Sequence, residues 1–122
     1  MNDNMTESIL TSVKKMMGIA EEYDHFDADL IMHINSVFFI LHQLGLGLSL
    51  FKIESADEEW DDFIVLNPGI NIEAVKTYMY ERVRLIFDPP TNSSLLNAYK
   101  EDIKEFEWRL QIETETDSFR KE

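Results

Sequence analysis

The sequence predicts a mainly all-α fold, a small bundle of about four to five helices with a short extended loop or hairpin near 48–54. Three observations carry the prediction. Apolar residues recur at spacings of three and four along most of the chain, and glycines, prolines and N-cap residues separate the recurrences. The one stretch too short for a helix, 48–53, alternates poorly. With 122 residues and no cysteine, the chain is long enough to form one domain with its own core and has no disulfide framework or thiolate metal site.

Residues 1–5 carry nothing that orders them and are expected to be disordered, with a single helical domain over 6–112 and a mobile tail over 113–122. A first helix begins near Thr6, shows Ile9, Leu10, Val13, Met16 and Met17 on one side, and closes at Gly18. The acidic linker AEEYDHFD then leads to Asp27, the expected N-cap of a second helix running to about Leu44. There Leu30, Ile31, Ile34, Val37, Phe38, Phe39, Ile40 and Leu41 leave almost no polar face, as in a helix at the centre of the core or shared between core and subunit contact. Gly45-Leu46-Gly47 ends it, and 48–53 follows as an extended loop or short edge strand. Ser55-Ala56-Asp57-Glu58 has the form of a capping box opening a short helix with Trp60, Phe63 and Ile64. Asn67-Pro68-Gly69 is a turn.

The next segment, VKTYMYERVRLIF, contains no breaker and sets Val75, Met79, Val83 and Ile86 on one helical face. Pro89 pushes Asp88 out of the α region, and neither Pro89 nor Pro90 can donate a backbone hydrogen bond, so the helix stops. Thr91-Asn92-Ser93-Ser94 are all N-cap types, and Leu95, Tyr99, Ile103, Phe106 and Leu110 then mark a longer helix. Its pattern fades into QIETETDSFRKE.

The charge excludes one function class. Eleven basic residues against 24 acidic ones give a formal net charge of −13, and the close basic sets are small, as in Lys14-Lys15 and Arg82-Arg84. A domain that grips nucleic acid through its phosphates needs clustered Lys and Arg. The acidic balance fits plain solubility or a surface that must not stick to passing DNA. The N-terminus lacks the basic start and apolar stretch of a secretion signal, and the longest near-apolar run, 30–41, is far short of a membrane span, so the chain reads as soluble.

No catalytic constellation emerges, and no cofactor is expected. There is no phosphate-cradling glycine loop, zincin His pair or glycine-flanked nucleophile. His33 and His42 lie nine residues apart on one helix, about 180° around it, and with His25 read as isolated polar residues. Asp24, Asp27 and Asp29 lack the central glycine and terminal Glu of a calcium loop and read as first-turn acids at a helix start. The acids of Asp57-Glu58-Glu59-Trp60-Asp61-Asp62 read as a solvated helix start. Arg82 and Arg84 are either helix-end charges with Glu81 and Asp88 as local partners or part of a subunit interface. In the last helix Trp108 and Ile112 share one side while Phe106 and Leu110 lie about 200° away, so the helix is either wedged in the core or binds a partner.

The string KTYMYERVRLIFDPPTNSSLLNAYKEDIKEFEWRL, with the upstream DADLIMHINSVFFILHQLGLG, resembles the small head–tail connector proteins of tailed bacteriophages, also called adaptor or DNA-packaging proteins. The resemblance covers residues 8–112 and rests on the whole pattern, with no single diagnostic motif. It implies a mostly helical, non-enzymatic protomer that forms a ring, commonly twelve-fold, below the portal protein, meets a head-completion, stopper or tail protein, and lines a channel through which genomic DNA passes without specific binding. Such a protein is made in the host cytoplasm and resides at the head–tail junction of the virion, away from membranes. On this reading Arg82, Arg84, Asp88, Pro89, Pro90, Trp108, Ile112 and Phe119 are the candidate partner or oligomer contacts. The alternative is an acidic DNA mimic that regulates or inhibits an enzyme by blocking its basic groove.

Overall fold

The structure is a computed structural model that describes the backbone of residues 7–46 and 50–120 and the side chains through 114. The expected disorder of residues 1–5, part of the predicted loop at 48–54, the end of the predicted tail and the Phe119 side chain lie outside the described residues. Five helices follow one another: α1 (Ile9–Met16), α2 (Asp27–Gln43), α3 (Trp60–Leu66), α4 (Ile72–Phe87) and α5 (Ser93–Arg120). Among the described residues there is no strand beyond one isolated antiparallel bridge between Ser8 and Glu59, which stitches the start of α1 to the start of α3. The all-α prediction holds.

Helix α4 is the spine, packed along α2 on one side and α5 on the other, with α1 resting on both α2 and α4. The core joins Ile9, Leu10 and Val13 of α1, Leu30, Ile34, Val37, Phe38 and Leu41 of α2, Trp60 and Phe63 of α3, Val75, Tyr78, Met79 and Val83 of α4, and Ile103 and Leu110 of α5. Most of these are positions that three- and four-residue periodicity selects, while Met16, Phe39, Ile86 and Leu95, which it also selects, are exposed. Ile86 is exposed because Phe87, four residues after Val83, takes the inward position and meets Phe26 edge-on at 5.1 Å. Leu95 is exposed too, since the first turn of α5 lies beside the corner before the helix settles against α4.

Helix ends follow local chemistry. Ser8 caps α1 by accepting from the Thr11 N–H, and Gly18, at φ +77°, closes it with bonds from Gly18 and Ile19 N–H back to Lys15 and Lys14 carbonyls. Gly45 closes α2 in the same way at φ +107°, where a Cβ would stand 2.9 Å from the Thr114 Cγ2 of α5. Asn71 caps α4 and Asn92 caps α5. Asp27 is not the N-cap of α2; that position is Phe26, and the Asp27 carboxylate instead meets Lys14 at 2.8 Å. Lys14 is 2 % exposed and also donates to the Glu21 carbonyl, so one buried cation ties the end of α1, the acidic linker and the start of α2. The capping box of α3 lies four residues later than predicted, at Glu59 and Asp62; Glu58 serves the preceding loop by accepting from Glu54 and Ser55 N–H.

Residues 50–53 form no strand, yet Ile53 has a surrogate strand partner. The Asn35 side chain of α2 accepts from the Ile53 N–H at 2.8 Å and donates to its carbonyl at 2.9 Å. Asn35→Ala leaves both groups of a buried residue unpaired and is expected to lower stability by about 2 kcal/mol. Urea unfolding followed by circular dichroism checks this; a loss below a few tenths of a kcal/mol contradicts the pairing.

Candidate assembly surface

The double-proline corner converts α4 and α5 into an antiparallel pair. Asp88 is forced to φ −153° by the following Pro89, closing α4 with its N–H on the Arg84 carbonyl at 2.9 Å, and Asn92 starts α5 four residues on. The pairing register is readable from three contacts: Arg84 with Tyr99, Glu81 with Asp102, and Tyr78 with Phe106 and Glu107.

Both arginines predicted at a partner surface turn inward to this pair. Arg82 donates through Nε and Nη2 to Glu107 Oε2 at 3.2 and 2.7 Å, and its Nε also reaches the Tyr78 hydroxyl at 2.9 Å. Tyr78 donates to the same carboxylate oxygen at 2.6 Å while its ring stacks on Phe106 at 4.6 Å. Burial, reinforced by the Glu107 bond, pushes the Tyr78 hydroxyl well above its ordinary range. Burial alone would lower Arg82, but its bonds to Glu107 and Tyr78 outweigh that and hold the guanidinium charged. Arg84 donates through Nη1 to the hydroxyls of Tyr80 and Tyr99, lies over the Tyr99 ring at 5.9 Å, and donates through Nε to the Asp88 carbonyl. The local partner expected for Arg82, Glu81, is not the one it uses: a side chain on α4 finds its acid on α5. Arg82 and Arg84, both part-exposed, therefore clamp α4 to α5 beside the corner.

The other candidates divide by exposure. Asp88 and Pro89 are exposed at the corner, whereas Pro90 is buried and braces it from inside. On α5, Ile103 and Leu110 are buried with Phe106 half-buried beside them, while Trp108 is 63 % and Ile112 43 % exposed on the opposite side. The two stripes predicted from 100° per residue are thus one packed and one bare. Helix α2 divides in the same sense. Met32 and Phe39 point outward, about half exposed, so the helix is not buried on most sides and carries a second bare apolar face. Sequence reading caught the α5 stripe by periodicity; for α2 it left open core alone or core plus subunit contact and could not say which side is bare, because a helix that is apolar all round does not announce which side the core covers.

Helix α5 is also longer than the partner it packs on. It has 28 residues against 16 in α4, an excess of about 18 Å at the α-helical rise. The register brings Glu113 and Thr114 opposite Gly69 and Ile70, just before α4 begins, and the Thr114 hydroxyl reaches the Leu44 carbonyl at 3.5 Å. The backbone stays helical beyond that point to Arg120, where the sequence pattern had faded.

Among the described residues no three His, Cys, Asp or Glu side chains converge as a metal-binding group, and no helix is long and apolar enough to cross a membrane. Comparison with curated proteins and with solved structures gives no match. A family model does match: the one described as Phage connector protein covers residues 9–117, from the first residue of α1 into the last turns of α5. The chain therefore belongs to the phage connector proteins, a structural family of the head–tail junction.

Proposed function

We propose that this chain is one subunit of a ring that docks on the portal protein, meets a head-completion or tail protein on its other side, and surrounds the DNA as it passes. The observation that carries the reading is the bare Trp108–Ile112 stripe on a helix that outruns its intramolecular partner. A cyclic ring needs two different patches per subunit, one fitting the other on the next copy. The outer face of α2 with Met32 and Phe39 and the corner with Asp88 and Pro89 supply the neighbour contacts; the Trp108–Ile112 stripe and the end of α5 supply the portal contact. A net charge of −13 suits a conduit that repels phosphates and leaves the duplex free to slide. Ring order follows the twelve-fold habit of the proteins this chain resembles.

The same charge favours a second reading, a DNA mimic that occupies a basic groove. Light scattering of the full chain, alone and mixed with portal protein, separates the two. A multi-subunit species with portal supports the ring. Failure to join portal, with salt-sensitive one-to-one binding to a basic protein, supports the mimic.

A chain ending at Thr114 tests the assignment of the α5 end. It keeps every described core residue and the contact at Gly45, so its unfolding free energy should stay within about 0.5 kcal/mol of the full chain. Portal association should fall strongly. Unfolding of the shortened chain, or undiminished association, would show that the end of α5 has been misplaced.

A further inference from the structure

A groove of about 900 Å³ runs between α4 and α5 below the clamp, and its polar lining serves no purpose in the ring reading. Its titratable and charged side chains all come from these two helices: Tyr78, Glu81, Asp102, Glu105, Arg109 and Glu113. The turn over residues 66–71 and the Gly45-Leu46 end of α2, which complete the wall, contribute none. Arg109, the cation of the set, is bonded to Glu105 at 2.5 Å, and the Tyr78 hydroxyl is bonded to Glu107. That leaves Asp102 and Glu113, both exposed, and Glu81, which is 6 % exposed and has its carboxyl within hydrogen-bonding reach of that of Asp102 across the helix interface. Two carboxylates have only acceptors to offer, so this bond exists only while one of them holds a proton.

The geometry points to a proton-operated latch: the protonated Glu81 carboxyl donates to Asp102 and holds α5 to α4 along this groove, and loss of the Glu81 proton opens it. Burial, then the Asp102 hydrogen bond and its charge, push Glu81 up to about 7 from 4.5. The folded chain therefore binds this proton more tightly than the unfolded chain. Its contribution to stability is fully present below about 4.5, declines as the pH rises toward 7, and is gone above it. The neighbouring clamp does not follow, because Arg82 and the Tyr78 hydroxyl keep their protons across that window. Near neutrality α5 is thus held at a fixed point by the clamp and at a variable one by the latch. A pair poised at its midpoint responds to small changes in the surrounding field, as when a charged surface approaches.

The test uses the full chain with carbon-13-labelled Glu side chains, titrated between pH 4 and 9 by NMR. The resonance missing in Glu81→Gln identifies Glu81. Its midpoint should lie near 7 and fall toward the ordinary carboxylate range in Asp102→Asn. Hydrogen exchange of the amides at residues 69–74, corrected for the intrinsic pH dependence, should rise several-fold above pH 7 in the wild type. It should stay flat in Glu81→Gln, whose amide donates to Asp102 at every pH. A wild-type Glu81 midpoint in the ordinary carboxylate range overturns the latch, and this measurement still decides if the Gln variant fails to fold, with the assignment then taken from Asp102→Asn. Equal pH responses of exchange in wild type and Glu81→Gln overturn it as well. Neither readout depends on portal binding, so the latch and the ring reading fail separately.

Discussion

Replacing Trp60 with Ala is expected to lower stability by about 3–5 kcal/mol, the cost of removing a large buried aromatic side chain and leaving a cavity that cannot fully collapse. Trp60 is 1 % exposed and opens α3, a helix of seven residues that has too few turns to persist by itself. What keeps α3 in place is the company of this ring. Phe38 of α2 meets it edge-on at 6.2 Å, Phe63 does so at 6.2 Å from the next turn, and Phe51 packs on both phenylalanines from the preceding loop. The indole Nε1–H donates to Ser12 Oγ of α1 at 2.9 Å, and Lys76 of α4 lies 5.7 Å from the ring centre. One side chain of α3 therefore meets three other helices, and domains of this size have about 5–15 kcal/mol of total stability to lose. Trp60→Phe should cost less, since it keeps an aromatic body while giving up the bond to Ser12. Chemical denaturation of both variants, followed by far-ultraviolet circular dichroism, checks the order and the size; a Trp60→Ala loss below about 1 kcal/mol would mean that the cluster is not the tie between α3 and the rest.

Trp60 also shows how far the sequence alone reaches. That it begins a short helix is legible from Ser55 to Phe63, but the N-cap lies four residues after Ser55, because the choice among Glu58, Glu59 and Asp62 as backbone acceptors depends on where the Ser8–Glu59 bridge fixes the chain. Local signals of this kind place elements and blur their ends. The glycine at 18, the turn at 67–69 and the prolines at 89–90 needed no tertiary partner to act, and each stops or turns the chain where the sequence says it should. Side chains whose partner lies far along the chain were the ones misjudged. Lys14 reads as half of a basic doublet and is a buried tie to Asp27; Asn35 reads as a polar interruption in an apolar helix and is the hydrogen-bonding partner of Ile53. Within the candidate surface, the bare side of α5 was legible since the angle between Trp108 and Leu110 is set by helix geometry alone. The pairing of Glu81 with Asp102 was not, because it exists only once the corner has folded α5 back at one particular register.

The same register makes the Arg82 clamp the second place where a single change should tell most. Arg82→Met keeps the apolar stem but leaves the Glu107 carboxylate with Tyr78 as its remaining donor, and the expected loss is about 2–3 kcal/mol. That is less than the 3–5 kcal/mol of a fully buried pair, because both side chains are about a quarter exposed and water partly replaces the lost partner. Arg82→Lys should recover only part of it, since one ammonium cannot reproduce the separate Nε and Nη2 bonds of the guanidinium. Glu107→Gln should cost less again, because the amide oxygen still accepts from Arg82 and Tyr78. A double-mutant cycle of Arg82→Met with Glu107→Gln should give a coupling of about 1–2 kcal/mol, within the range for residues in direct contact. Assembly supplies the sharper readout. The clamp lies between the corner and the Trp108–Ile112 stripe, so loosening it changes the direction in which that stripe is presented without removing an exposed apolar residue. Portal association should therefore weaken more in Arg82→Met than in Asn35→Ala, a variant of comparable stability whose lesion is on α2 and the loop it holds. Equal association for the two would mean that the angle of α5 is indifferent to the partner and that the clamp serves folding alone.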